Sequence, residues 1–222
     1  MNSLRQKFAA FPALTRIVPF GIFLVLTACQ WKFFSGSEYW IYLAKTLVGA
    51  GLIWAVRPLV AEMRWAFSWE AVAVGVAVFA LWVGLDAHYP KLVKAQGAWN
   101  PPAAFGQGSA LAWLIISVRL IGSTLVVPPL EEVFYRSFVY RSLAGPKFES
   151  VPLNYFSWLP FLVTAAVFGF SHVEWLAAIL CGMAYQFLVL RKNRLGDAMT
   201  AHAVTNFLLG VWVVARGDWH FW

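Results

Sequence analysis

The sequence predicts an all-α fold of the polytopic membrane class, and three observations carry that prediction. Of the 222 residues 61% are hydrophobic and only 12% charged, about half the charged fraction of a soluble domain. The mean hydropathy is +0.67, and 13 Trp with 19 Phe present more apolar surface than a soluble fold can hide, whereas a bilayer requires it. The basic residues fall mostly between the apolar runs, as the positive-inside rule expects. The net charge of +7 is therefore read as membrane orientation, and no nucleic-acid partner is expected. One integral-membrane domain, 1–222, with about seven or eight transmembrane or re-entrant helices follows. Residues 1–126 form its N-terminal helices and 127–215 its motif-bearing helices.

Taken in order, residues 1–16 carry Arg5, Lys7 and Arg16 and read as a cytoplasmic lead-in. No cleavable signal peptide is expected, because this stretch is basic and interrupted by Pro12, and the first apolar run after it is followed by Lys32 where a small-residue cleavage site belongs. The first span is 17–31, the second 39–56, ended by Arg57-Pro58, and the third 71–85. Residues 86–108 hold Pro90, Asn100-Pro101-Pro102 and the aromatic residues Tyr89, Trp99 and Phe105, and read as an outer-face loop at the interface. The fourth span is 109–127, with Arg119 at its middle as a snorkelling residue or the partner of an intramembrane acid. A short helix then carries Glu131 to about residue 143. Apolar helices follow at 155–170 and 175–190, then a basic knot at 191–194, then a last helix over 197–215 with Asp197 as its N-cap. Cys29 and Cys181 lie inside apolar runs, so neither a disulfide framework nor a metal cluster is indicated.

The stretch Pro128-Pro129-Leu130-Glu131-Glu132-Val133-Phe134-Tyr135-Arg136 concentrates charge in this apolar chain. Two prolines suit the first turn of a new helix, where a missing N–H costs nothing. On that helix Glu132 and Arg136 are i,i+4, the favourable order for an ion pair. Glu131, turned by about 100° from Glu132, is left without that partner. An unpaired ionisable group at membrane depth is a functional-site hypothesis by default. The plainer reading is a charged cap on a helix at the membrane surface.

Further polar residues interrupt the later helices. His172 follows Phe168 by four residues, and Ser171 with Glu174 has capping-box spacing that would let His172 open the next helix. His202 and Asn206 are i,i+4 on one face of the last helix. Singly, each suits a helix–helix polar contact. Together, a free carboxylate, two imidazoles and an amide are better explained by one shared polar site. That set suits amide hydrolysis: a carboxylate and a histidine hold and deprotonate a water, and an imidazole N–H with an asparagine N–H meets the oxyanion. No serine or cysteine sits in a nucleophile elbow, which favours attack by water.

Glu131-Glu132-x-x-x-Arg136, Phe168-x-x-x-His172 and His202-x-x-x-Asn206 resemble, in order, the three motifs of the CAAX protease and bacteriocin-processing (CPBP, or Abi) family. The resemblance covers about residues 127–210; the first 120 residues are similar only in being hydrophobic helices. It implies a metal-independent glutamate intramembrane protease with a CPBP-like helical bundle and no cofactor. In that reading Glu131 and His172 activate the water, His202 and Asn206 form the oxyanion hole, and Glu132, Arg136 and Phe168 support them. The implied substrate is a membrane-associated peptide or protein, lipid-modified in part of the family. The compact length and Trp-rich first half also resemble the CAAX-protease-related branch linked to exosortase systems. That resemblance implies a bacterial inner membrane, and the basic lead-in and loops imply a cytoplasmic N-terminus.

Two rival readings stand beside this one. Glu131, His172 and His202 form an accepted catalytic zinc set, although HExxH spacing is absent. A non-enzymatic immunity or scaffold protein would use the polar cluster only to hold helices together. The span count also raises a conflict, since a full span between His172 and His202 puts them at opposite faces of the bilayer. They meet only if both lie deep, or if the segment at Ser171 is re-entrant and buried in protein.

Overall fold

The computed structural model describes residue 8 and residues 10–30, 32–92 and 99–222. Among these residues there is no strand. The helices are α1 (Pro12–Cys29), α2 (Ser37–Val56), α3 (Trp69–Leu85), a short α4 (Pro101–Phe105), α5 (Ala110–Ala144), α6 (Trp158–Phe170), α7 (Trp175–Lys192) and α8 (Gly196–Arg216). Six of them are long and apolar enough to cross a membrane, and α6 is an apolar helix of 13 residues. The protein is thus a polytopic helical membrane protein. In α7 and α8 44% of the spanning window is buried, against 22–33% in the other four, which puts α7 and α8 at the centre of the bundle.

The first span begins earlier than the sequence suggests. Pro12 suits the first turn of α1, and the helix continues through Pro19, as membrane helices permit. Arg16 consequently belongs to α1 and not to a lead-in: it is buried, with Nη2 2.7 Å from Glu62 Oε1. Arg5 and Lys7 lie outside the described residues. In the loop before α5, Trp99 turns inward instead of lying at the interface, 1% exposed, with its ring 5.0 Å from Tyr39 and 5.7 Å from Tyr42.

The largest departure is α5. The expected span 109–127 and the expected separate Glu131 helix are one helix of 35 residues. The prolines do not stop it because the ladder widens around them: Gly122–Val126 and Val133–Val139 are π-helical. Val127 N–H bonds back to Gly122 O, five residues away. Pro128 and Pro129 carry no N–H, so the carbonyl of Thr124 has a donor at neither i+4 nor i+5.

Close approach elsewhere depends on small residues. A Cβ at Gly75 of α3 would lie 2.6 Å from Ala201 O of α8, and one at Gly169 would lie 2.9 Å from both Trp175 O and Ile179 N of α7. These two contacts seat α8 on α3 and close the α6–α7 hairpin. Asp197 is not the N-cap of α8; that position is Leu195. Asp197 sits in the first turn instead, held by Arg194 Nε at 2.5 Å and Nη2 at 3.2 Å, where the helix dipole still favours a carboxylate.

Candidate active site

Glu131 and Glu132 end the α-helical stretch Val127–Glu132 of α5, between its two π-helical stretches. Glu132 and Arg136 are fully buried, with Arg136 Nε 3.2 Å from Glu132 Oε2. That contact is ionic rather than directional, since neither atom has a hydrogen-bond partner among the described residues. The other carboxylate oxygen, Glu132 Oε1, lies 2.9 Å from His202 Nδ1. Arg136 also reaches Gly182 O through Nη2 at 3.4 Å and stacks its guanidinium 4.5 Å from the Phe168 ring. Glu132 therefore joins an arginine of its own helix to a histidine of α8, a link that i,i+4 spacing alone does not reveal.

His202 is held on three sides. Its ring stacks on Tyr185 of α7 at 5.2 Å and meets the edge of Phe168 at 6.3 Å. Tyr185 is fixed in turn by donating to Thr205 Oγ1 at 2.7 Å. With Nδ1–H donated to the Glu132 carboxylate, Nε2 is the free nitrogen. It faces Glu131 Oε2 at 4.0 Å. That oxygen is buried and has no hydrogen-bond partner among the described residues.

His172 neither ends α6 nor opens α7. It occupies the turn between them: its N–H bonds Gly169 O, and α7 begins at Trp175. Ser171 does not cap α7; its hydroxyl donates to Phe168 O at 2.7 Å. His172 Nδ1 is 2.8 Å from Phe168 O, so the proton belongs on Nδ1 and Nε2 is left as an acceptor. Its ring lies 4.7 Å from Phe168 and 5.8 Å from Trp82. Phe168, 1% exposed, thus separates the two imidazoles and touches both. Both imidazoles line one cavity, His172 from the turn after the 13-residue α6 and His202 from the seventh residue of α8.

Asn206 does not point freely into the site. Its amide donates to Ser123 O at 2.8 Å, and the reason lies in α5. Val127 N–H is committed to Gly122 O and the next residue is proline, so the Ser123 carbonyl has no helical donor. One amide proton of Asn206 fills that gap and the other remains.

Glu131, His172, His202 and Asn206 all line one cavity of about 780 Å³, together with Phe168, Tyr185 and Thr205. Glu132 and Arg136 lie behind it. The cavity extends to Lys45 and Arg119, neither of which the motifs indicate. Arg119 pairs with no acid among the described residues; it stacks on Tyr42 and Trp99, each at 4.7 Å. Lys45 was findable as a cation inside an apolar run, and Tyr185 carries no signal beyond its apolar helix. Among the described residues no three His, Cys, Asp or Glu side chains converge as metal ligands. Each imidazole commits only Nδ1, that of His202 to Glu132 and that of His172 to a backbone carbonyl, and keeps Nε2 free.

Residues 113–208 match the family of type II CAAX prenyl endopeptidases described as Rce1-like. That segment contains all three motifs and every residue of the cavity wall from Glu131 to Asn206. No curated protein and no solved structure matches the chain.

Proposed function

We propose that this chain, Rce1-like over residues 113–208, is an intramembrane endopeptidase that hydrolyses a peptide bond of a membrane-associated, lipid-modified substrate with an activated water. The observation that carries the reading is the convergence of Glu131, His172, His202 and Asn206 on one cavity, with Glu131 Oε2 buried and unpartnered. Glu131 Oε2 takes the proton of the attacking water, and His172 Nε2, the lone-pair nitrogen, accepts the second hydrogen bond and orients it. The water oxygen bonds the scissile carbonyl carbon. The carbonyl oxygen gains the negative charge and meets the second amide N–H of Asn206 and His202 Nε2. His202 donates there from Nε2 when both ring nitrogens carry a proton, with the ring held in place by the Glu132 contact at Nδ1. The proton held by Glu131 then passes to the leaving amine. The apolar wall from Phe20, Phe23 and Leu209 suits a lipid chain. The basic segments at 57–64 and 191–194 support a cytoplasmic N-terminus.

The test is cleavage of a membrane-anchored peptide by purified protein in vesicles. Glu131→Gln should abolish turnover with an unchanged melting temperature, and wild-type activity should survive exhaustive chelation. Loss on chelation with recovery on zinc would establish the metalloprotease reading. No turnover by wild type on any lipidated peptide, with the fold intact, would favour a scaffold.

A further inference from the structure

We propose that the cavity holding Glu131 opens towards the end of the bundle away from the cytoplasm, so that the enzyme cuts substrate segments already carried to the outer face. The inference rests on the peptidase reading above and adds the side from which the substrate arrives. Contacts define the two ends. At one, Glu62 joins Arg16 and Arg141, Glu70 joins Arg191 and Lys192, and Thr200 donates to Ala66 O at 2.8 Å. The start of α1, the loop from α2 to α3, the end of α5 and the junction of α7 with α8 therefore share that end. At the other, Trp99 packs on Tyr39 at 5.0 Å, Trp175 Nε1 donates to Pro90 O at 3.0 Å, and His220 Nε2 lies 3.1 Å from Asp86 Oδ2. Among the described residues the first end also holds Arg57, Arg64, Lys147 and Arg194, against Lys32, Lys91 and Arg216 at the second. By the positive-inside rule the first end is cytoplasmic.

The cavity wall is divided unevenly between those ends. From the outer end inward it reaches Phe20 on α1, Lys45 on α2, Glu131 on α5, Tyr185 on α7 and His202 on α8. On none of these helices does a described residue nearer the cytoplasm line it. Its polar rim comes from the outer end: Gln30 and Lys32 after α1, Glu174 before α7, and His220 after α8. Lys32 is exposed, and the imidazole of His220 is 52% exposed. Beneath the active-site residues the bundle is sealed. Val60, Tyr140 and Leu195 are fully buried, and Arg16 and Arg141 are neutralised by Glu62. A peptide backbone carries N–H and C=O groups that cannot be stranded in apolar packing. It therefore enters by the polar rim and not through this floor, and the products leave the same way. Transfer of the cut segment across the membrane is thus the step that must precede cleavage.

The experiment uses the full chain in intact cells and a membrane-impermeant methanethiosulfonate. Lys32→Cys and Lys147→Cys report which end faces out, and Glu131→Cys and Leu209→Cys report access to the cavity. Each is read as labelling above that of the native cysteines. Lys32→Cys, Glu131→Cys and Leu209→Cys should label in intact cells, and Lys147→Cys only after permeabilisation. In the turnover arm, the membrane-anchored peptide that purified protein cleaves is displayed outside the cell in one reporter and inside in another. Wild type should cut the outside reporter alone in intact cells and both in detergent, and Glu131→Gln should cut neither. Cutting of the inside reporter in intact cells overturns the proposal. So does labelling of the two cavity cysteines only after permeabilisation, or labelling of Lys147→Cys in intact cells, since the cavity then opens on the cytoplasm. If neither reporter is cut even in detergent, the peptidase reading fails and the labelling still decides the side. Leu209→Cys decides alone should Glu131→Cys misfold, and the reporters decide should the reagent fail to enter in either state.

Discussion

At the scale of single residues, Glu132 and Asn206 each carry two duties. Glu132 neutralises Arg136 through one oxygen and orients His202 through the other. Removing one partner of a buried ion pair costs roughly 3–5 kcal/mol, so Glu132→Ala and Arg136→Ala should both lower the melting temperature strongly. They should differ in the residual turnover of folded protein. Arg136→Met leaves the Glu132–His202 bond in place, whereas Glu132→Ala frees the imidazole to turn and should lower kcat further. Equal kcat in the two variants would remove the orienting role. Asn206→Ala should lower kcat by about 10²–10³-fold with KM nearly unchanged. It should also cost roughly 1–3 kcal/mol of stability, because the Ser123 carbonyl loses its donor. A silent Asn206→Ala would leave that residue as a helix clamp.

At the scale of the element, α5 shows what the sequence does and does not disclose. Side chains four apart on one helix face are legible from spacing alone, and so Glu132–Arg136 and the common face of His202 and Asn206 could be read directly. The continuity of α5 could not, because Pro128-Pro129 reads as a stop in water. Here π-helical turns and a side-chain amide from α8 supply what the prolines remove. The Glu132–His202 bond was illegible for a different reason: it joins residues 70 positions apart and depends on how α8 seats on α3. Restoring the missing N–H groups tests the element. Pro128→Ala/Pro129→Ala gives the Ser123 and Thr124 carbonyls helical donors and lets the π turn at 122–126 revert to α. The register of Glu131 against His202 then changes by part of a turn. Turnover should fall at least about tenfold while the melting temperature holds or rises, since proline in a helix interior costs about 3 kcal/mol. Undiminished turnover would show that the π turn is incidental to the site.

At the scale of the whole molecule, the N-terminal helices and the motif-bearing helices are tied together at one acidic residue. Glu62, in the segment between α2 and α3, pairs with Arg16 of α1 at 2.7 Å and with Arg141 of α5 at 3.5 Å, and accepts from the Ser137 hydroxyl. Sequence reading missed this because it placed Arg16 outside the first span, where a cation needs no partner. Burial alone would push the Glu62 carboxyl up, but Arg16 and the Ser137 hydrogen bond outweigh it and hold the carboxyl below its ordinary value. A carboxylate with a depressed pKa contributes stability that is present above its unfolded pKa, about 4.3, and is lost as pH falls through the folded value. Glu62→Gln should therefore lower the melting temperature in detergent at pH 7. The gap between wild type and variant should close progressively below about pH 4.3. A gap that stays constant from pH 7 to pH 3 would mean that Glu62 acts by packing and not by charge, and that the hold of α1 on α5 does not depend on this carboxylate being ionised.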